Sequence, residues 1–324
     1  MLPIGMVSAG FLLISLDPIR EAARAYGATA VSTTNFEYAG EAATIAGWLV
    51  MATAAFVSLN RLSPVMVRPS RILLLGAASV SIGLAIAAGL NLTGSVVIIQ
   101  HRALSIRGIF SQSYVSLVRS LERSSDGAGV AAWLTAMVAA ATSLIRVRRA
   151  AERARALFTA PLFVAVIAAA AQAAAGAITF VFDWAPSQFS IGWIDAILGL
   201  QVAAWFFFSV ALYRVVVSAH REHDRRWLVA LTVGAFGPFL LASSTMLMIA
   251  FYEQWVGTSS DTVLSHWEDC LLASGWIVLA AGAVLFALAV GRAPRPARVR
   301  SEHETRWWIR EVLSNRPSSQ LGSD

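Results

Sequence analysis

The sequence contains no lysine: all 25 of its basic residues are arginine. Without a lysine there is no Schiff base to retinal or pyridoxal phosphate, and no P-loop ammonium to hold a nucleotide phosphate. The single cysteine, Cys270, excludes an intramolecular disulfide and every zinc or iron–sulfur site built from several thiolates. Charge of either sign is scarce, at 14% of residues where a soluble domain carries roughly a quarter. The five histidines, His101, His220, His223, His266 and His303, all fall outside the middle of the apolar runs. No pair is therefore placed to face across helices as the axial ligands of a membrane haem.

What the sequence does hold is hydrocarbon: 57% of its 324 residues are hydrophobic and the mean hydropathy is +0.65. Crossing a hydrocarbon core of ~30 Å takes about 20 mostly apolar helical residues, with every backbone hydrogen bond made inside the segment. Such windows occur at about 2–16, 42–59, 72–100, 128–145, 158–182, 191–213, 227–251 and 271–291. The expected fold is an all-α polytopic transmembrane helix bundle over residues 1–291, of about eight spans. It has seven if the N-terminal segment does not cross, because that window reaches only about 22 Å at ~1.5 Å per residue. A cleavable signal peptide is disfavoured, since Met1–Gly5 carries no basic residue.

Arginine is retained on the cytoplasmic side of a membrane protein. The loops at 60–71 and 146–157, the segment from Arg214 to Arg226 and the tail after Gly291 together hold 19 of the 25 arginines. Eight spans put all four regions on one face, which predicts a multi-pass plasma-membrane protein with both termini cytoplasmic. The basic surplus is then an orientation signal, and no nucleic-acid partner is expected. The strings Phe56–Arg61 and Phe208–Arg214 are similar at the ends of the second and sixth spans, so a two-part internal duplication is conceivable.

Several spans are rich in Ala, Gly and Ser, as at Gly76–Gly83 and Ala168–Ala175, which lets helix backbones approach closely. Asn91, Gln172, Gln201, Ser243 and Ser244 are the polar candidates beside a path or between helices. No ionisable residue is expected at mid-bilayer, where its cost makes it functional by default. Trp48 and Trp133 read as anchors near outer span ends, with Trp184, Trp193, Trp227, Trp255 and Trp267 at other interfaces.

Candidate metal ligands are His101, at the outer end of the third span, and His266, Glu268 and Asp269 in the string that ends at Cys270. Adjacent residues of a helix point in different directions, whereas metal sites use spaced ligands. The expected reading is a solvated acidic loop that holds no metal, and no cofactor is expected. Gln100-His101-Arg102 resembles the His-Arg pair of haem A synthases without their other intramembrane histidines. The order Cys270, Arg292, His303 matches that of exosortase-type transpeptidases, but a helix separates the first two. Ala273-Ser274-Gly275 resembles part of the rhomboid serine motif, with no histidine in a later span. No family follows from these strings, and no catalytic residue is assigned.

Two membrane-proximal segments read as contact surfaces. At about 107–123, Phe110, Tyr114, Leu117, Val118 and Leu121 recur with helical spacing, which predicts an amphipathic helix at the outer surface that lies in the headgroups, closes as a lid or docks a partner. Residues 292–324 form a basic, tryptophan-containing cytoplasmic tail. There Arg295, Arg298 and Arg300 suit anionic lipid, and Trp307 and Trp308 suit the bilayer or a partner groove. The expected role is a non-catalytic integral-membrane subunit or scaffold of a larger assembly, with membrane lipids and other membrane-protein subunits as partners. The alternative is a permease for a lipidic or weakly polar solute. An enzyme or a sensor stands behind both.

Overall fold

The computed structural model describes residues 2–25, 34–62, 68–105, 112–148, 152–184, 191–219, 225–255 and 263–292. All of them lie in eight α-helices: α1 (Leu2–Ala25), α2 (Thr34–Leu62), α3 (Arg68–Ser105), α4 (Gln112–Arg148), α5 (Glu152–Trp184), α6 (Ile191–Ala219), α7 (Arg225–Trp255) and α8 (Val263–Arg292). Each is long and apolar enough to cross a membrane, so the chain is an all-α, multi-pass transmembrane bundle.

The first helix resolves the question of seven or eight. It continues past Asp17 and Pro18 to Ala25, and its 24 residues span roughly 36 Å. The apolar window in the sequence ends at Leu16, before Asp17 and Arg20. In the fold the charges neutralise one another along the helix: the Arg20 guanidinium sits 3.0 Å from Asp17 Oδ1 and also pairs with Glu21.

A second difference lies at the start of α4. The described part of the segment expected as a separate outer helix, residues 112–123, forms the first three turns of one continuous helix that runs on to Arg148. The polar string at 124–126 reads as a break between the two. Instead, the Ser124 hydroxyl donates back to the Ser120 carbonyl at 2.7 Å, and that of Ser125 donates to the Ala87 carbonyl of α3 at 3.0 Å. The serines thus satisfy their own polarity without interrupting the helix.

Each helix packs against its sequence neighbours, and α8 packs against α1, so the eight form a closed ring. Neighbours are antiparallel. Gly10 meets Met51 while Ile14 meets Gly47 across α1 and α2, and Gly237 meets Leu279 while Leu241 meets Gly275 across α7 and α8. The seam is fastened by the Ser8 hydroxyl of α1, which donates to the Ala280 carbonyl of α8 at 3.0 Å. Leu2 and Arg292 consequently stand on the same side of the ring. That side also carries the ends of α2, α4 and α6, with Arg146, Arg148 and Arg214, and is called the arginine-rich side below.

The distribution of bulk is the reverse of a soluble protein's. Alanines such as Ala54, Ala78, Ala168, Ala175 and Ala204 are almost fully enclosed, while Leu49, Ile86, Val138, Phe163, Phe206 and Met246 face outward. In lipid there is no hydrophobic drive between helices, so close backbone approach through small side chains supplies the cohesion and the large apolar ones face the acyl chains.

Candidate functional site

The centre of the ring is built from one recurring unit. Each even-numbered helix carries two small residues followed by tryptophan: Ala46-Gly47-Trp48 in α2, Ala131-Ala132-Trp133 in α4, Ala203-Ala204-Trp205 in α6 and Ser274-Gly275-Trp276 in α8. Each tryptophan lies within three residues of the midpoint of its helix. The small residue before it lets the preceding helix come close. A methyl group on Gly47 would stand 2.6 Å from the Gly10 carbonyl oxygen, one on Gly83 would meet the Ala132 Cβ at 2.7 Å, and one on Gly275 would meet Leu241 at 2.6 Å. In α6 the equivalent Ala204 is fully enclosed, as is Ala168 of α5.

With neighbouring backbones drawn together, the indoles project inward and meet. Trp133 contacts Trp205 at 6.5 Å between ring centroids and 90° between planes; Trp205 contacts Trp276 at 5.9 Å and 88°; Trp276 contacts Trp48 at 6.0 Å and 89°. Phe11 of α1 stacks on Trp276 at 5.8 Å, and Phe208 leans on both Trp133 and Trp205 at 5.9 Å. Edge-to-face geometry sets the positive rim of one ring against the negative face of the next, and each such pair is worth about 0.5–1.5 kcal/mol. The result is an aromatic layer across the middle of the bundle, rooted in four helices.

Trp48 and Trp133 are therefore not outer anchors as expected from the sequence. The apolar windows at 42–59 and 128–145 put them near a span start, but α2 begins at Thr34 and α4 at Gln112, which moves both to mid-helix. Trp205 and Trp276 complete the layer, each preceded in the sequence by a pair of small residues. Trp267, by contrast, is 56% exposed at the beginning of the α8 span, where an interfacial anchor belongs. The side chains of Trp184, Trp193, Trp227 and Trp255 lie outside the described residues.

The two halves of the ring differ. On the side away from the arginines the aromatic layer is overlain by polar groups: buried Ser15, Ser125, Ser244 and Thr245, the Asp17–Arg20–Glu21 group, and Glu41, whose carboxylate accepts a 3.0 Å hydrogen bond from Ser95 of α3. Buried Gln172 of α5 stands level with Trp133, because Gly176 packs on Val130. Asp195 near the start of α6 buries Oδ1 without a hydrogen-bond partner. Asp17 is six residues from Phe11 and Glu41 seven from Trp48, about 9–10 Å from the layer along each helix. On the arginine-rich side the enclosed residues are mainly alanine, with Ser8, Ser81 and Ser143 among them. Of the other polar candidates, Asn91 is exposed on the outside of the ring, Gln201 is half-buried, and the Ser243 hydroxyl donates to its own helix at Phe239.

Among the described residues no three His, Cys, Asp or Glu side chains converge as a metal site. Glu268, Asp269 and the free Cys270 are half-buried in the first turns of α8, and the His101 and His266 side chains lie outside the described residues. Leu117 is 49% exposed and Leu121 half-buried on α4, which leaves them available to lipid or a partner. Phe110, the Tyr114 side chain, and Arg295, Arg298, Arg300, Trp307 and Trp308 lie outside the described residues. Comparison of the chain with family models, with curated proteins and with solved structures found no match.

Proposed function

We propose that this chain is a non-catalytic, membrane-embedded subunit or scaffold of a larger assembly in the plasma membrane, with both termini in the cytoplasm. The observation that carries the reading is the aromatic layer. Four helices contribute a tryptophan to it, and close crossings hold the paired helices together, so aromatic contacts brace the bundle across its middle. A body braced at mid-span suits holding other proteins in place better than passing a solute along its axis. The orientation rests on the 19 arginines gathered on one side.

Partners would engage the tail, whose Arg295, Arg298 and Arg300 suit anionic lipid and whose Trp307 and Trp308 suit an apolar partner groove, and the exposed start of α4 around Leu117. The test is co-purification in mild detergent of the intact protein and of the Trp307→Ala, Trp308→Ala double variant, which keeps every arginine. Buried tryptophans at interfaces often contribute about 2 kcal/mol or more each, so the double variant should lose its partners while remaining in the membrane. Identical partners for both proteins would overturn the docking role of the tail.

One observation favours the permease reading instead. The carboxylates and the buried Ser15, Ser125, Ser244 and Thr245 hydroxyls lie in the half away from the arginines, where a weakly polar solute would enter, and the buried Gln172 amide lies at the depth of Trp133. A protein that purifies without partners and releases one small molecule on denaturation would favour that reading over the scaffold.

A further inference from the structure

The outer surface of the ring is interrupted by a groove of about 550 Å³ over α7, walled by Val210 and Tyr213 of α6 and by Val278 of α8, with Thr232, Phe236 and Phe239 along its floor. Its volume falls inside the ~300–1,000 Å³ range of small-molecule sites. The groove exists because the α6–α7 contact is made by small groups. The Ser209 hydroxyl donates to the Ala235 carbonyl at 2.6 Å, drawing the helices together beneath the surface, while the large residues on either side stand proud. Phe236 and Phe239 stack at 5.6 Å with planes 26° apart and are 53% and 44% exposed, so they present a flat aromatic wall to whatever fills the space.

Its position selects the occupant. Val210, Tyr213, Thr232 and Val278 lie between the tryptophan layer and the arginine-rich side, so the groove runs through a single leaflet and is almost wholly apolar. At its arginine-side end Tyr213 is 55% exposed and is followed by the exposed Arg214, one helical turn beyond Val210 on the same face of α6. An apolar channel one leaflet deep that ends beside an exposed arginine matches a molecule with a hydrocarbon chain and a negative headgroup. A helix of a partner protein would require no such charge at that end.

We propose that this groove binds one acyl chain of an anionic phospholipid from the leaflet on the arginine-rich side, with its phosphate at Arg214. The site is independent of whether the chain scaffolds an assembly or passes a solute. The experiment is native mass spectrometry of the full-length protein, delipidated and then equilibrated with vesicles of phosphatidylglycerol or of phosphatidylcholine. The intact protein should retain one phosphatidylglycerol per chain in preference to phosphatidylcholine. Val210→Trp, which fills the groove with an indole, should retain none. Arg214→Gln should leave the groove intact and reduce the preference for the anionic lipid by about fivefold, the effect of one arginine near a membrane surface. Equal retention by intact protein and Val210→Trp, or no preference between the two lipids, would overturn the proposal. So would loss of a dimer peak in place of a lipid peak in Val210→Trp, which would assign the groove to a second copy of the chain. If Val210→Trp does not fold, an unchanged lipid preference in Arg214→Gln overturns the proposal by itself.

Discussion

Replacing Trp276 with alanine tests whether the aromatic layer holds the ring together. Trp276 is 8% exposed and touches three rings, Phe11, Trp48 and Trp205, from three other helices. At about 0.5–1.5 kcal/mol for each pair, the loss comes to roughly 1.5–4.5 kcal/mol. The transfer contribution that raises tryptophan-to-alanine costs in soluble cores adds little, because the separated helices remain in lipid as apolar as the interior. A destabilisation of about 3 kcal/mol is expected. Trp133 makes two ring contacts, so Trp133→Ala should cost about 2 kcal/mol. Trp267, exposed at the end of its span, should cost less than ~0.5 kcal/mol. Thermal unfolding of the three variants in one detergent should rank them in that order, at roughly 2–4 °C per kcal/mol by analogy with soluble domains. A Trp276→Ala melting temperature equal to that of Trp267→Ala would refute the reasoning, because the layer would then fill space without bearing on stability.

Gly237→Ala should cost about 1–3 kcal/mol, since the added methyl would stand 2.6 Å from Leu279 and 2.9 Å from the Gly275 carbonyl, whereas Gly89→Ala, with open space at its Cβ, should be neutral; equal melting temperatures would show that α7 and α8 do not approach so closely. Arg20→Ala removes the guanidinium that pairs with Asp17 and Glu21 inside an apolar span and should cost about 2 kcal/mol, part of it recovered in the Arg20→Ala, Asp17→Ala double variant; strict additivity of the two changes would deny the pairing. On a Cys270→Ser background, a cysteine placed at Ser319 should resist an impermeant thiol reagent in intact cells, and labelling it would reverse the proposed orientation.

Much of the fold is readable in the sequence because a membrane imposes a length and a composition on anything that crosses it. All eight spans appear as apolar windows, and the observed helices contain them. What the windows misplace are their ends. Hydropathy stops at Asp17 and starts again only near 128, yet α1 carries its charges as an internal group and α4 passes through Ser124–Asp126 without a break. Those errors moved Trp48 and Trp133 toward the interface and hid the layer they form. Trp205 and Trp276 are harder to interpret from sequence, because a tryptophan inside an apolar run has no pattern until the small pair before it is compared across all four even helices. Which polar side chains lie inside could not be read at all: Asn91 and Gln172 look alike in sequence, yet one is exposed on the ring and the other is buried.

The closure of α1 against α8 makes this ring an unusual problem for its own biosynthesis. A ribosome delivers the helices in order, so α2 through α7 can each dock on a neighbour already in the bilayer. The free flank of α1, with the Ser8 hydroxyl and Phe11, must wait for Ala280 and Trp276 at the far end of the chain. Until α8 arrives the bundle is an open crescent with an unfinished edge at each end, the stage at which a membrane chaperone or a second nascent copy could occupy the gap. Because the free ends of α1 and α8 lie on the same side of the finished ring, the position of that seam is a matter of the order in which the chain lays down its helices. A circularly permuted gene that joins residues 292 and 2 through a short linker and opens the chain at 149–151 would build the same ring with its last joint between α4 and α5.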